Sequence, residues 1–158
     1  MIYNKLYEEK GGRTLIEIKY IPLRSGAHIP TKAHEDDAGF DLYASEDFLL
    51  RAHGYGCVPT ALSIELPTGY EAQVRPRSGL AAKYGVTVLN APGTIDAGYR
   101  GEVKVILINH GEADFMITAG MRIAQMVISP VLEARFTEAA ALEESVRGEG
   151  GFGSSGTN

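Results

Sequence analysis

The chain has no tryptophan and a single cysteine, Cys57. One cysteine excludes an internal disulfide, so nothing in the thiol content points to an oxidising compartment. No apolar run approaches the roughly 20 residues that a membrane-spanning helix needs. The first residues lack an apolar signal core. Positive charge is also scarce: the net charge is −5, whereas a general nucleic-acid binder normally carries a basic domain. Neither a membrane nor nucleic acid is therefore an expected partner, and the expected location is cytoplasmic. The His/Cys spacing of a zinc site is absent, as are a Gly-x-Ser-x-Gly elbow and a Walker phosphate loop.

What is present is enough for one domain. A chain of 158 residues fits the prior of about 100–200 residues per domain and buries about 70% of its unfolded surface. Nineteen Gly and seven Pro suit short strands joined by tight turns. Alternation is clean over residues 61–66, where Leu62, Ile64 and Leu66 oppose Ser63 and Glu65, and again over 70–75. Residues 14–23, 38–44, 49–60, 86–89, 103–109, 115–118 and 121–131 read as further short strands. Residues 78–83 read as a turn or two of helix, capped by Ser78 and ended by Gly85. Residues 138–146 are Ala/Glu-rich and read as a frayed helical turn. The expected fold class is all-β, a sandwich or barrel. The expected divisions are an extension (1–13), a β domain (14–146) and a Gly/Ser-rich mobile tail (147–158).

Chemistry gathers at five stretches. Residues 90–109 read as a β-hairpin with Asp96 just before its tip and Tyr99 three residues on. An Asp before a Gly turn often serves only its own backbone. It can also face a group attached to a flat ligand held by the hairpin. Asp36-Asp37-Ala38-Gly39-Phe40-Asp41 is either a solvated acidic loop or a source of hard oxygen for Mg²⁺. Arg75-Pro76-Arg77-Ser78-Gly79 opens the helix, and is either an ordinary capped start or an anion site. Gln125 lies in phase with Ile123 and Val127 and needs a partner if buried. The tail from Arg147 to Thr157 is either a linker or a lid that lays a ring on a base and Arg and hydroxyls on phosphate.

Taken together, these stretches resemble the five ordered motifs of the homotrimeric dUTP diphosphatase (dUTPase) family. Asp37-Ala38-Gly39-Phe40-Asp41-Leu42-Tyr43 resembles the first and Pro76-Arg77-Ser78-Gly79-Leu80-Ala81-Ala82-Lys83 the second. Residues 93–103, Gly-Thr-Ile-Asp-Ala-Gly-Tyr-Arg-Gly-Glu-Val, resemble the third. Arg122-Ile123-Ala124-Gln125-Met126 resembles the fourth. Arg147-Gly148 with Gly151-Phe152-Gly153-Ser154-Ser155-Gly156 resembles the fifth. Together they span about three-quarters of the chain. The second, third and fifth are long and specific.

The resemblance implies a jelly-roll-like subunit in a homotrimer, with active sites shared between subunits. It implies hydrolysis of dUTP to dUMP and pyrophosphate with Mg²⁺ on the triphosphate, which keeps uracil out of DNA and supplies dUMP for thymidylate synthesis. By position, Asp96 would activate the attacking water, and Asp41 would reach the metal through water. Arg77, Ser78, Gly79, Gln125, Arg147, Ser154 and Ser155 would hold phosphates. Uracil and deoxyribose would be held by Asn90, Thr94, Ile95, Asp96, Tyr99, Lys104 and Phe152, with Tyr99 leaving no room for a 2′-hydroxyl.

One departure touches the fourth motif, which commonly opens Gly-Asp-Arg but here reads Gly120-Met121-Arg122, leaving Arg122 without that carboxylate. Residues 1–13 lie outside the resemblance. The alternatives are a dCTP deaminase-like enzyme, which shares the fold, and an inactive trimeric nucleotide-binding module. The deaminase would need a Glu where Ile106 stands.

Overall fold

The computed structural model describes residues 7–10 and 13–151. In chain order the elements are β1 (Tyr7–Lys10), β2 (Arg13–Ile16), β3 (Lys19–Pro22), β4 (Phe40–Tyr43), β5 (Phe48–Leu50), β6 (Tyr55–Pro59) and β7 (Leu62–Glu65). They continue with β8 (Tyr70–Arg75), α1 (Ser78–Tyr84), β9 (Val86–Val88), β10 (Gly93–Ile95), β11 (Lys104–Asn109), β12 (Phe115–Ile117) and β13 (Arg122–Pro130). Among the described residues α1 is the only helix, so the all-β, jelly-roll-like expectation holds.

Every strand pair is antiparallel. One sheet has four strands in the order β10-β8-β13-β4, and another has three in the order β6-β11-β9. The pairs β12-β5 and β3-β7 complete the body, and β1 pairs with β2. One core joins them: Leu42 and Val74 from the four-stranded sheet meet Val105 and Leu107 from the three-stranded one, with Leu62 and Ile117 from the pairs. Each of those side chains stabilises the fold by about 1.5–3 kcal/mol through burial.

The alternation read in residues 61–66 is broken at one place. Ser63 is buried like its apolar neighbours, because its hydroxyl donates to the Arg100 carbonyl at 2.8 Å. The strand expected over 14–23 divides into β2 and β3, and Ile18, between them, packs against the core. β1, inside the expected extension, pairs with β2.

Two local expectations fail. Residues 138–146 form no helix; so short a polar run cannot meet the cost of helix nucleation without an apolar face to bury. Residues 90–109 are not a self-contained hairpin either. β10 pairs with β8, while β11 pairs with β6 and β9. The partner of β11 thus precedes the segment, and residues 89–103 form a long excursion between β9 and β11, closed at its base by the Leu89 amide on the Ile106 carbonyl (2.8 Å).

Candidate active site

The four-stranded sheet brings three separated stretches together. β13 runs between β8 and β4, so Gln125 lies opposite Arg75 on one side and Asp41 on the other. The chain leaves β8 through Pro76 and Arg77 and enters α1. The result is a polar cleft of about 290 Å³ lined by Asp41, Arg77, Ser78, Gly79, Arg122 and Gln125, with part of the loop 33–39.

Asp41 is the hub of this cleft. Its carboxylate is only 13% exposed. Arg77 Nε lies 3.2 Å from Oδ1, and Arg122 Nη1 donates to Oδ2 at 3.0 Å. Arg77 also donates to the Arg122 carbonyl at 3.1 Å. The two guanidinium groups are therefore tied to one carboxylate and to each other, and the trio keeps one excess positive charge. Nearby Asp37 accepts the His34 amide at 2.8 Å. Gln125 Nε2 donates to the Pro76 carbonyl at 3.0 Å, which answers its need for a partner. Gly39 is required by close approach: a Cβ there would collide with the Gln125 side-chain oxygen.

Ser78 does not cap the helix. Arg77 is the N-cap residue, in an extended conformation, and no side chain caps the helix start. The Ser78 hydroxyl has no partner among the described residues, and the first amides of a helix are not used within it. A Cβ at Gly79 would meet nothing within 4 Å, so the first turn is open to an incoming group. Open amides, a free hydroxyl and two arginines suit a phosphate.

The chemistry of the donors also decides how a divalent ion could be held. No cluster of three or more His, Cys, Asp or Glu side chains exists among the described residues, so the chain has no cage of its own for a bare ion. Each Asp41 oxygen faces one arginine yet keeps lone-pair capacity for a water. That fits a hydrated Mg²⁺ arriving on phosphates, the usual manner for this ion.

The second group of expected residues lies elsewhere. Asp96 follows β10, is exposed, and its carboxylate has no partner among the described residues. Its carbonyl accepts the Tyr99 amide at 3.0 Å. Tyr99 is 45% exposed, and its hydroxyl donates to the Glu102 carbonyl at 2.9 Å. Its ring lies across Gly101, where any Cβ would collide with it. Asn90 and Thr94 are exposed. Ile95 is buried in the core, so only its backbone is left for a ligand. The Lys104 ammonium lies 3.8 Å from Glu102.

Glu102 and Arg24 were not singled out from sequence. Glu102 Oε1 accepts the Ala61 amide and Arg24 Nη2, each at 2.8 Å. Burial opposes ionisation of this carboxyl, but Arg24, the Ala61 amide and Lys104 outweigh it and hold it below its usual range. Arg122, named in the fourth motif, gains Asp41 as a partner in place of the carboxylate that Met121 removes.

The two groups do not meet within one chain. Ile95 lies opposite Ala72, so Asp96 leaves the sheet beside Glu71, near the start of β8. Arg77 follows the other end of β8. The stretch from Glu71 to Arg77, at about 3.3 Å per residue, spans up to roughly 20 Å. No residue of 90–104 lines the polar cleft. Arg147 also stands away from it, exposed, with its guanidinium on the Gly150 carbonyl of its own turn (2.8 Å). Phe152, Ser154 and Ser155 lie outside the described residues.

The comparisons with known proteins agree with one another. The dUTPase family model matches residues 25–156. A deoxyuridine 5′-triphosphate nucleotidohydrolase of Clostridium tetani is 56% identical over 134 residues, covering 85% of this chain and 92% of the relative. One of Helicobacter hepaticus is 57% identical over 141 residues, covering 89% of each. Among solved structures, the dUTPase of Staphylococcus bacteriophage 80alpha with dUPNHPP is similar, with a TM-score of 0.83 at 28% identity. That match covers 89% of this chain and 99% of the phage chain.

Proposed function

The chain belongs to the dUTPase family and hydrolyses dUTP, and from that premise we propose how its residues divide the reaction. The products are dUMP and pyrophosphate. The Asp96 carboxylate accepts a proton from a water whose oxygen attacks the α-phosphorus. The bond to the bridging oxygen breaks, and pyrophosphate leaves with that electron pair. A carboxylate is a weak general base at neutral pH, so in-line positioning and charge neutralisation supply most of the rate. Mg²⁺ on the triphosphate supplies part of that neutralisation. Asp41 would hold the ion through water, and it holds Arg77 and Arg122. Arg77, the Ser78 hydroxyl, the open amides at Ser78 and Gly79, and Gln125 hold phosphate oxygens. Arg147, Ser154 and Ser155 close on the far phosphate, and Phe152 stacks on the base.

Uracil binds along residues 90–104, read by Asn90 and by backbone groups from Thr94 to Lys104. Cytosine presents the opposite donor and acceptor pattern and leaves polar groups unpaired, a costly mismatch. Tyr99 lies against the deoxyribose and blocks a 2′-hydroxyl.

The observation that carries a shared site is the length of β8 between Asp96 and Arg77. Residues that must meet one nucleotide leave opposite ends of that strand, so a second copy must supply one half. The arm after β13 supports the same assembly. Leu132, Phe136 and Leu142 are 88%, 100% and 90% exposed, and residues 132–144 make no hydrogen bond within the described chain. An arm with bare apolar side chains and an unpaired backbone calls for a partner surface. The working form is a homotrimer with composite sites.

Deamination finds no support: β11 carries no carboxylate, and Ile106 stands where the base would be. The test is pyrophosphate release from dUTP, dCTP, dTTP and UTP with Mg²⁺, with ammonia followed in parallel. Release from dUTP alone is expected. Ammonia from dCTP, or silence on all four, overturns the reading.

A further inference from the structure

We infer that Glu102 is a positioning residue for sugar selectivity: its side chain anchors the leg of chain that holds the Tyr99 ring where a 2′-hydroxyl would have to fit. The inference rests on the role of Tyr99 proposed above.

Three contacts define the place of that ring. The Tyr99 amide closes a turn on the Asp96 carbonyl (3.0 Å), the ring lies across Gly101, and the hydroxyl donates to the Glu102 carbonyl (2.9 Å). The first two are local and move with the excursion 89–103. The third ends on Glu102, whose side chain ties this leg of the excursion to another part of the molecule.

That tie is unusually firm for a residue outside a strand. The carboxylate is 13% exposed and accepts two donors at 2.8 Å, the Arg24 guanidinium and the Ala61 amide. Charge-assisted bonds of this kind are roughly twice as strong as neutral ones. Ala61 is fully buried and has φ +56°, a left-handed conformation that a residue with a Cβ rarely adopts. The adoption of that conformation directs its amide to Glu102 rather than into a ladder. Neighbouring bonds fasten the same corner: the Val103 amide donates to the Leu62 carbonyl, and the Ser63 hydroxyl to the Arg100 carbonyl, each at 2.8 Å. The carbonyl that receives the Tyr99 hydroxyl thus belongs to a residue pinned to the β6–β7 corner. If the pin loosens, the acceptor shifts, the ring gains freedom, and the gap opens on the side that should exclude a hydroxyl.

A merely structural Glu102 would change stability and leave the choice between sugars alone. The test is therefore kcat/KM for dUTP and UTP, with thermal stability measured on the same proteins. Glu102→Gln keeps the shape and an acceptor for Ala61 but loses the ion pair with Arg24. The ratio of UTP to dUTP turnover is expected to rise about tenfold, the scale of one lost hydrogen bond. Tyr99→Phe removes the other end of the link and is expected to raise the ratio in the same direction. In the double variant the two effects are expected to fall short of their sum, because both act on one contact. An unchanged ratio in Glu102→Gln, with Tyr99→Ala relaxed, overturns the positioning role alone. An unchanged ratio in Tyr99→Ala overturns the sugar-exclusion reading itself. Should Glu102→Gln fail to fold, Arg24→Gln tests the same anchor with the Ala61 bond intact, and an unchanged ratio there is equally fatal.

Discussion

Asp96→Asn chains and Arg77→Ala chains, each inactive alone, are expected to recover activity when expressed together. The reasoning is geometric. The stretch of β8 between the two positions spans up to roughly 20 Å, so the proposed shared site takes its water-activating group and its phosphate cleft from different copies. In a mixed trimer a site is whole when its Asp96 comes from an Arg77→Ala chain and its Arg77 from an Asp96→Asn chain. In a head-to-tail ring that carries both chain types, about one site in three meets that condition. Neither substitution should prevent assembly. Asp96 is exposed and its carboxylate has no partner among the described residues, so the change to Asn is expected to cost within about 0.5 kcal/mol. Removing Arg77 leaves Asp41 its bond to Arg122 at 3.0 Å. The assay is pyrophosphate release from dUTP by trimers purified through two different tags. Asp96→Asn alone is expected to bind dUTP normally and lose about 10²–10⁴-fold in kcat, the range of a general base. A mixture no more active than the mean of its two parents refutes the shared site and returns both groups to a single chain.

Three further outcomes follow from particular contacts. Asp41→Asn removes the carboxylate shared by Arg77 and Arg122; the Mg²⁺ concentration for half-maximal activity is expected to rise about tenfold or more, since neutral Asn holds ionic partners and waters less firmly, and an unchanged Mg²⁺ dependence would remove Asp41 from the metal's surroundings. Removal of residues 147–158 is expected to leave a folded assembly with little dUTP turnover, because among the described residues Arg147 bonds only within its own turn; loss of the folded state on circular dichroism would contradict that. Acid stability follows from Glu102, whose carboxyl titrates below its usual 4.5 in the folded chain. A depressed folded value means that the ionised group stabilises above about 4.5 and that this contribution fades as pH falls below it. The urea-midpoint gap between the native chain and Glu102→Gln should therefore be wide at pH 7 and shrink at pH 3. Asp114, held low by the Ala52 amide and Arg51, titrates alike in both proteins and cancels; a gap independent of pH would contradict the assignment.

The residues of the polar cleft are legible in the sequence. Asp41, Arg77, Ser78, Gly79 and Gln125 were marked by residue type and order, and the sheet brings them into one cleft. The alternation in β8 named its buried face, Ala72 and Val74, because side chains of a strand point in turn to opposite faces. Such patterns are local, and a local pattern states which face of a strand is buried without stating what the strand pairs with. A local pattern therefore does not show that β11 pairs with β6 and β9, nor that the hydroxyl of Ser78 leaves the helix start uncapped. The distance between Asp96 and Arg77 depends on the register of β10 against β8, which no spacing in the sequence records. The carboxylate of Glu102 drew no notice, since its partners Ala61 and Arg24 are 41 and 78 residues away. The sequence alone determined the all-β class and the family, and it named the candidate groups for the chemistry. Only the tertiary structure decided which of the candidate groups stand together in one chain and which stand apart, because strand register is set by long-range pairing and packing.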